Sequence, residues 1–181
     1  MLTSAILVLA LCQATWWDGG VEASISRVPS MRRVWADAIV SLPGSDRAGV
    51  AYLLTDLPLS DLTLVKPDEL LQNIRLAARA RGATQWAKDV PRNIYLEFVL
   101  PHACVTEPRD SMRKEFMEKY LPLAKKSKST GEAALALNKA LFADFKVVYN
   151  TMRLRTDQSS RESVAQGMAT CTGLSIMLIE A

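Results

Sequence analysis

At 181 residues, with 49% apolar and 23% charged side chains, the chain can bury a sizeable core, which excludes a disordered polypeptide. Its net charge of +3 is dispersed, and the densest basic cluster, Lys125-Lys126-Ser127-Lys128, has no aromatic or glycine-rich recognition pattern beside it, so nucleic acid is not an expected partner. Three cysteines and a single histidine match no zinc-like spacing, and neither a metal nor a cofactor is expected.

The chain opens on an apolar run from Leu2 to Leu11, too short to span a bilayer and long enough for the core of a signal peptide. Cleavage is expected after Ala14 or after Ala23. Cys12 follows Leu11 rather than Gly, Ala or Ser, which argues against lipid attachment. The expectation is therefore export to the periplasm or medium without a lipid, with no stable membrane span once the signal is removed. Cleavage would leave two cysteines, Cys104 and Cys171, which in an oxidising compartment could pair.

Beyond the signal the pattern is almost wholly helical. Ser30 can cap a helix to about Ser41 on the stripe Val34, Trp35, Ala38, Ile39 and Leu42. Ser45 or Asp46 starts the next, ending near Asp56-Leu57-Pro58, and Asp61 to Val65 reads as an extended or irregular link. Lys66-Pro67-Asp68-Glu69 is a strong helix start that runs to Gly82, with proline in the first turn and two acids on its dipole.

Pro91 opens a helix closed by Pro101, and Cys104 falls in the turn His102 to Glu107. Pro108 is expected to start a long charged helix with Met112, Phe116 and Tyr120 on one face, limited or kinked at Pro122. Thr130 caps a helix from Gly131 to Tyr149 with Ala134, Leu137, Leu141, Phe145 and Val148 turned inward, and Thr151 to Thr156 is expected to be extended. Ser159-Ser160-Arg161-Glu162 has the spacing of a capping box. Gly167 closes that turn.

Small residues then lead into Cys171, which opens an apolar stretch with Leu174, Leu178 and Ala181 at helical spacing. A thiol at a helix N-terminus meets unpaired N–H groups and the positive end of the dipole, which favour the nucleophilic thiolate. The stretch is apolar on nearly all sides, so it needs covering from several directions. It ends at Glu180-Ala181 without glycine or proline, and the expectation is a chain cut within its core helix.

The run Gly167-Met168-Ala169-Thr170-Cys171-Thr172-Gly173-Leu174-Ser175, preceded by Arg155-Thr156-Asp157-Gln158-Ser159-Ser160-Arg161-Glu162-Ser163, resembles the nucleophile segment of bacterial transglutaminase-like proteins, a branch of the papain-like cysteine enzymes. The stretches Leu53 to Leu62 and Tyr95 to Pro101, with Glu107-Pro108-Arg109-Asp110, are similar to the helical region ahead of the core in one bacterial subgroup. The resemblance implies a mainly α chain: residues 1–23 a signal peptide and short linker, 24–150 a helical N-terminal region, and 151–181 the start of a truncated α+β core. It implies that Cys171 is catalytic, with its histidine and aspartate on later strands, none of which follows Ala181.

The implied chemistry is acyl transfer. The Cys171 thiolate attacks an amide carbon of a peptide or protein substrate, with the cell envelope as one source, the amine leaves, and the thioester that forms is resolved by water. A histidine would move the proton and backbone N–H groups at the front of the helix would hold the oxyanion. The fragment alone is expected to be inactive. His102, in a Pro-His-Ala-Cys turn ahead of the nucleophile, reads as structural rather than as the base, and Glu107 with Asp110 as a helix-start charge cluster rather than an acid–base pair. The alternative is a non-catalytic exported helical module that binds a peptide or wall component, with Cys171 buried or joined to Cys104.

Overall fold

The computed structural model describes residues 15–181, so the Leu2 to Leu11 run, Cys12 and Ala14 lie outside the described residues. The chain is mainly α: the described residues form eleven α-helices, one π-helical turn and one pair of two-residue strands. Among the described residues no helix is long and apolar enough to cross a membrane.

Two hydrophobic clusters organise the helices. The first is built by α1 (Gly19–Ser26), α2 (Pro29–Val40), α3 (Gly44–Thr55), α4 (Leu59–Leu64) and α5 (Pro67–Gly82). Helix α1 begins at Asp18, whose side chain accepts from the N–H groups of Gly20 and Val21, and it sinks Val21 and Ile25 completely into the core. Ala23 is therefore in the middle of a packed helix. Trp35 is the largest buried side chain of this cluster, and its indole N–H is satisfied by the Leu62 carbonyl at 3.0 Å. Trp16 and Trp17 pack half-buried against the same core, Trp16 donating to the Ile39 carbonyl.

The second cluster joins α8 (Arg113–Lys126), α9 (Thr130–Phe145) and α11 (Cys171–Glu180) around Phe116, Tyr120, Leu141 and Met177. Between the clusters run α6 (Gln85–Lys88), α7 (Arg92–Ile94) and a π-helical turn, Tyr95–Val99. Polar ties cross the gap. Arg113 Nη1 donates to Asn73 Oδ1 at 2.6 Å, and the Trp86 indole donates to the Ser127 carbonyl at 3.0 Å.

After α9, Lys146 takes a left-handed conformation and turns the chain into β1 (Val148–Tyr149). A crossover containing α10 (Ser160–Gln166) returns it as β2 (Met168–Ala169), parallel to β1 with Val148 opposite Met168 and Tyr149 opposite Ala169. Gly167, also left-handed, ends α10, and the capping box of Ser159 and Glu162 opens it as its spacing predicts.

Several sequence expectations fail locally. Asp61 to Val65 is not an irregular link, because α4 runs through it with Pro58 and Leu59 at its start. The long charged helix begins at Arg113 rather than Pro108, since Glu107 folds the preceding loop onto its own carboxylate. Helix α9 stops at Phe145; Ala133 rather than Ala134 faces inward, and Val148 is an exposed strand residue. Thr151 to Thr156 forms bends and a turn, not a strand.

Candidate functional site

Cys171 is the first residue of α11, with Thr170 at the N-cap. Its thiol is free and exposed. The Thr170 side chain does not cap the helix; its hydroxyl turns back to donate to the Thr156 carbonyl at 3.3 Å. The first-turn N–H groups of α11 are thus left without a side-chain partner, in the arrangement that receives anions at helix fronts.

The position of this front edge is set by close packing. A Cβ on Gly173 would stand 2.9 Å from Ala169 Cβ and 3.2 Å from Ser163 Oγ, so only glycine lets α11 approach α10 and β2 this closely. Gln158, fully buried beneath it, donates its amide to the Gln166 side-chain oxygen at 3.2 Å and the Met168 carbonyl at 3.3 Å. Gln166 Oε1 also accepts from the Leu154 N–H. One side-chain amide thereby pins the strand that delivers Cys171. Gln158 Oε1 and the hydroxyls of Ser160 and Ser163 are buried without a protein hydrogen-bond partner.

The far end of α11 is anchored as well. Glu180 accepts from the Ser111 hydroxyl and from the Met112 N–H, tying the helix to the start of α8. Arg161 of α10 donates to the Asp110 and Ser111 carbonyls and pairs with Glu115 at 2.7 Å. The α10–α11 pair is therefore clamped to α8 at two points.

The other nucleophile-capable side chain, Cys104, is a free thiol in a separate place. It lines a cavity of about 450 Å³ with His102, Glu107 and the C-terminal half of α11, a cavity that Cys171 does not line. Burial against the cavity wall, followed by the neighbouring Glu107 carboxylate, pushes the Cys104 thiol up to about 11. The residue as a whole is exposed, as Cys171 is, so the Glu107 carboxylate, which acts in the same direction, is the firmer of the two causes.

His102 is absorbed into a polar cluster. Its Nε2 lies 2.9 Å from Asp61 Oδ2, the same oxygen that accepts from Arg109 Nε at 3.1 Å. Because the carboxylate can only accept, Nε2 carries the hydrogen. Burial pushes the imidazole below its ordinary value, against the pull of Asp61 and Glu107 and with a smaller push in the same direction from Arg109. His102 is thus a neutral, engaged side chain and is not brought to Cys171. Glu107 gives one oxygen each to the N–H groups of Cys104 and Val105, at 2.6 and 2.8 Å, and does not form an acid–base pair with Asp110.

Asp61 is the centre of a site that the sequence did not disclose. It is 3% exposed on a helix read as a link, and the signal was a lone acid in the apolar run Leu57 to Leu64. Gln158 was equally silent, since a glutamine before two serines reads as loop. Among the described residues no group of histidine, cysteine and acid side chains could hold a metal ion. Comparison with family models, with curated proteins and with solved structures finds no match to this chain.

Proposed function

We propose that the chain carries the nucleophile of an exported transglutaminase-like cysteine enzyme, which cleaves peptide or amide bonds through a thioester on Cys171. The observation that carries this reading is the pairing of an exposed thiol with an uncapped helix front at one residue. Attack by the sulfur places a negative charge on the former carbonyl oxygen, and N–H groups that no side chain occupies can receive it. Packing through Gly173 and Gln158 holds the helix front, and with it the N–H donors, in place, which such stabilisation requires.

The reading assigns no general base within these 181 residues, because the one histidine is committed to Asp61. The leaving amine and the incoming water would each need a proton carrier. The apolar Leu2 to Leu11 run supports export, with Ala14 favoured over Ala23 as the processing point, since cutting at Ala23 would remove Val21 from the core. The envelope or its surroundings would then supply the peptide substrate.

The test is competitive alkylation of the folded chain by iodoacetamide at neutral pH, read by mass spectrometry at both thiols. Cys171 is expected to react first by at least about tenfold, because Cys104 is held in its protonated form. Cys171→Ala should remove labelling there and abolish thioester trapping by an activated acyl donor. Faster labelling of Cys104, or no difference between Cys171 in the folded and the denatured chain, overturns the reading.

A further inference from the structure

The segment between β1 and α10 is tied down around the front of α11. The Asn150 N–H donates to the Ala169 carbonyl at 2.9 Å, and the Leu154 N–H donates to Gln166 Oε1 at 3.1 Å. Thr156 closes the wrap, because its carbonyl accepts from the hydroxyl of Thr170, the residue that precedes Cys171. Every one of these contacts lies within residues 150–170, at the opposite end of α11 from Ala181. The parallel strands thus bring Asn150 and Thr170 out together at their carboxyl ends, the side on which α/β sheets receive ligands.

Arg153 sits half-buried in this loop. Its Nη1 donates to the Thr151 carbonyl at 2.8 Å and its Nη2 to the Thr156 hydroxyl at 2.9 Å, so Thr156 joins the guanidinium to the N-cap of α11. Hydrogen bonds to neutral groups hold the guanidinium still without cancelling its charge. The two acids of the segment are set against the other arginine: Arg155 lies 3.3 Å from Glu162 and also acts on Asp157, which accepts from the Thr106 hydroxyl. Among the described residues no ion pair reaches Arg153. With those donors engaged and Nε enclosed, each terminal nitrogen keeps a single N–H, the pair that a carboxylate takes end-on.

A guanidinium held one threonine away from the nucleophile's helix is placed to read the charge of a chain lying across that front. We infer that Arg153 selects the substrate: the site takes a peptide that bears an acidic side chain a few residues from the amide under attack. Met152 and Leu154, exposed on either side of Arg153, offer apolar contact to the residues flanking that carboxylate. A lysine of the substrate at the same place meets a like charge, and a glutamine forgoes the charge-assisted bond. The inference rests on the thioester reading of Cys171 and adds to it the class of chain presented to the sulfur.

Bromoacetyl tripeptide amides that differ only by Glu, Gln or Lys at the first, second or third position form the test, with labelling of each thiol of the folded chain read by mass spectrometry at neutral pH. At one position the Glu reagent should label Cys171 at least about fivefold faster than its Gln counterpart, with the Lys reagent no faster than Gln. Arg153→Gln should bring the Glu to Gln ratio close to one while leaving the rate with iodoacetamide within about twofold. Arg33→Gln, which removes the same charge from an exposed site on α2, should leave the ratio as it was. Equal rates for Glu and Gln at all three positions, a ratio that survives Arg153→Gln, or one lost as fully in Arg33→Gln overturns the inference. Iodoacetamide judges the thioester reading separately: Cys104 labelled ahead of Cys171 sinks that reading, whereas a fast but unselective Cys171 sinks only the inference. If Arg153→Gln fails to fold by circular dichroism, raising the salt from about 0.05 to about 0.5 M should lower the ratio of the unsubstituted chain at least about twofold, and a ratio indifferent to salt overturns the inference.

Discussion

Gly173 shows how one missing methyl group governs a reactive edge. Its neighbours are a backbone-fixed Ala169 Cβ and a buried hydroxyl, neither of which can withdraw far. Gly173→Ala should therefore push the front of α11 away from α10, at a cost of about 1–3 kcal/mol for overpacking that outweighs any gain in helix propensity. Thermal melting measures the first effect, and the Cys171 alkylation rate, expected to change while that of Cys104 does not, measures the second. A melting point unchanged from that of the parent chain would mean that the tight approach is not structural. Gln158 belongs to the same account. Its amide joins Gln166 at the α10 terminus to β2, and Gln166 in turn accepts from the Leu154 N–H, so a polar side chain at zero exposure acts as a spacer between elements.

Among the elements, α1 carries the sharpest consequence. Val21 and Ile25 are fully buried, and burying each such side chain contributes roughly 1.5–3 kcal/mol. A chain beginning at Thr15 should keep α1 and its cap at Asp18, whereas one beginning at Ser24 should melt at markedly lower temperature, by several kcal/mol of stability. Paired melts of residues 15–181 and 24–181 check this. The proposed export predicts a processed chain whose N-terminal sequencing reads Thr15.

The same elements show what the sequence discloses. Helix starts that carry their own chemistry, such as Lys66-Pro67-Asp68-Glu69 and the Ser159–Glu162 box, were legible because the stabilising groups are local. The α4 helix was not, since its six residues are held by burial of Leu62 and by Asp61 reaching the 101–109 loop, contacts some forty residues distant. Pro108 misled in the same way: a proline suits a first helical turn, but Glu107 uses its carboxylate to cap the two N–H groups behind it and keeps the chain irregular as far as Met112. Cys171 was placed correctly at a helix front, because glycine, small residues and the apolar run are all within ten positions of it.

At the scale of the molecule, the loop 101–109 ties α4 to the Cys104 cavity through His102, Asp61 and Arg109. Burial lowers the His102 pKa in the folded state, so below about pH 6.5 the unfolded chain binds a proton that the folded chain resists. Unfolding then takes up protons, and stability should fall as the pH drops through that value toward the folded one. The effect should be absent above it. Melting curves between pH 5 and 7.5 should show this slope, and His102→Gln, which keeps a donor toward Asp61, should flatten it. A slope equal in the variant would assign the dependence to other groups.

The strand pair that delivers Cys171 has a wider implication. Val148 and Tyr149 stand 61% and 63% exposed on a ladder only two rungs long, with Met152 and Leu154 bare beside it. Greasy ribbon rims of this kind invite neighbours to stack. Dilution should accordingly protect monodispersity, and light scattering across a concentration series would reveal clustering that begins at this rim.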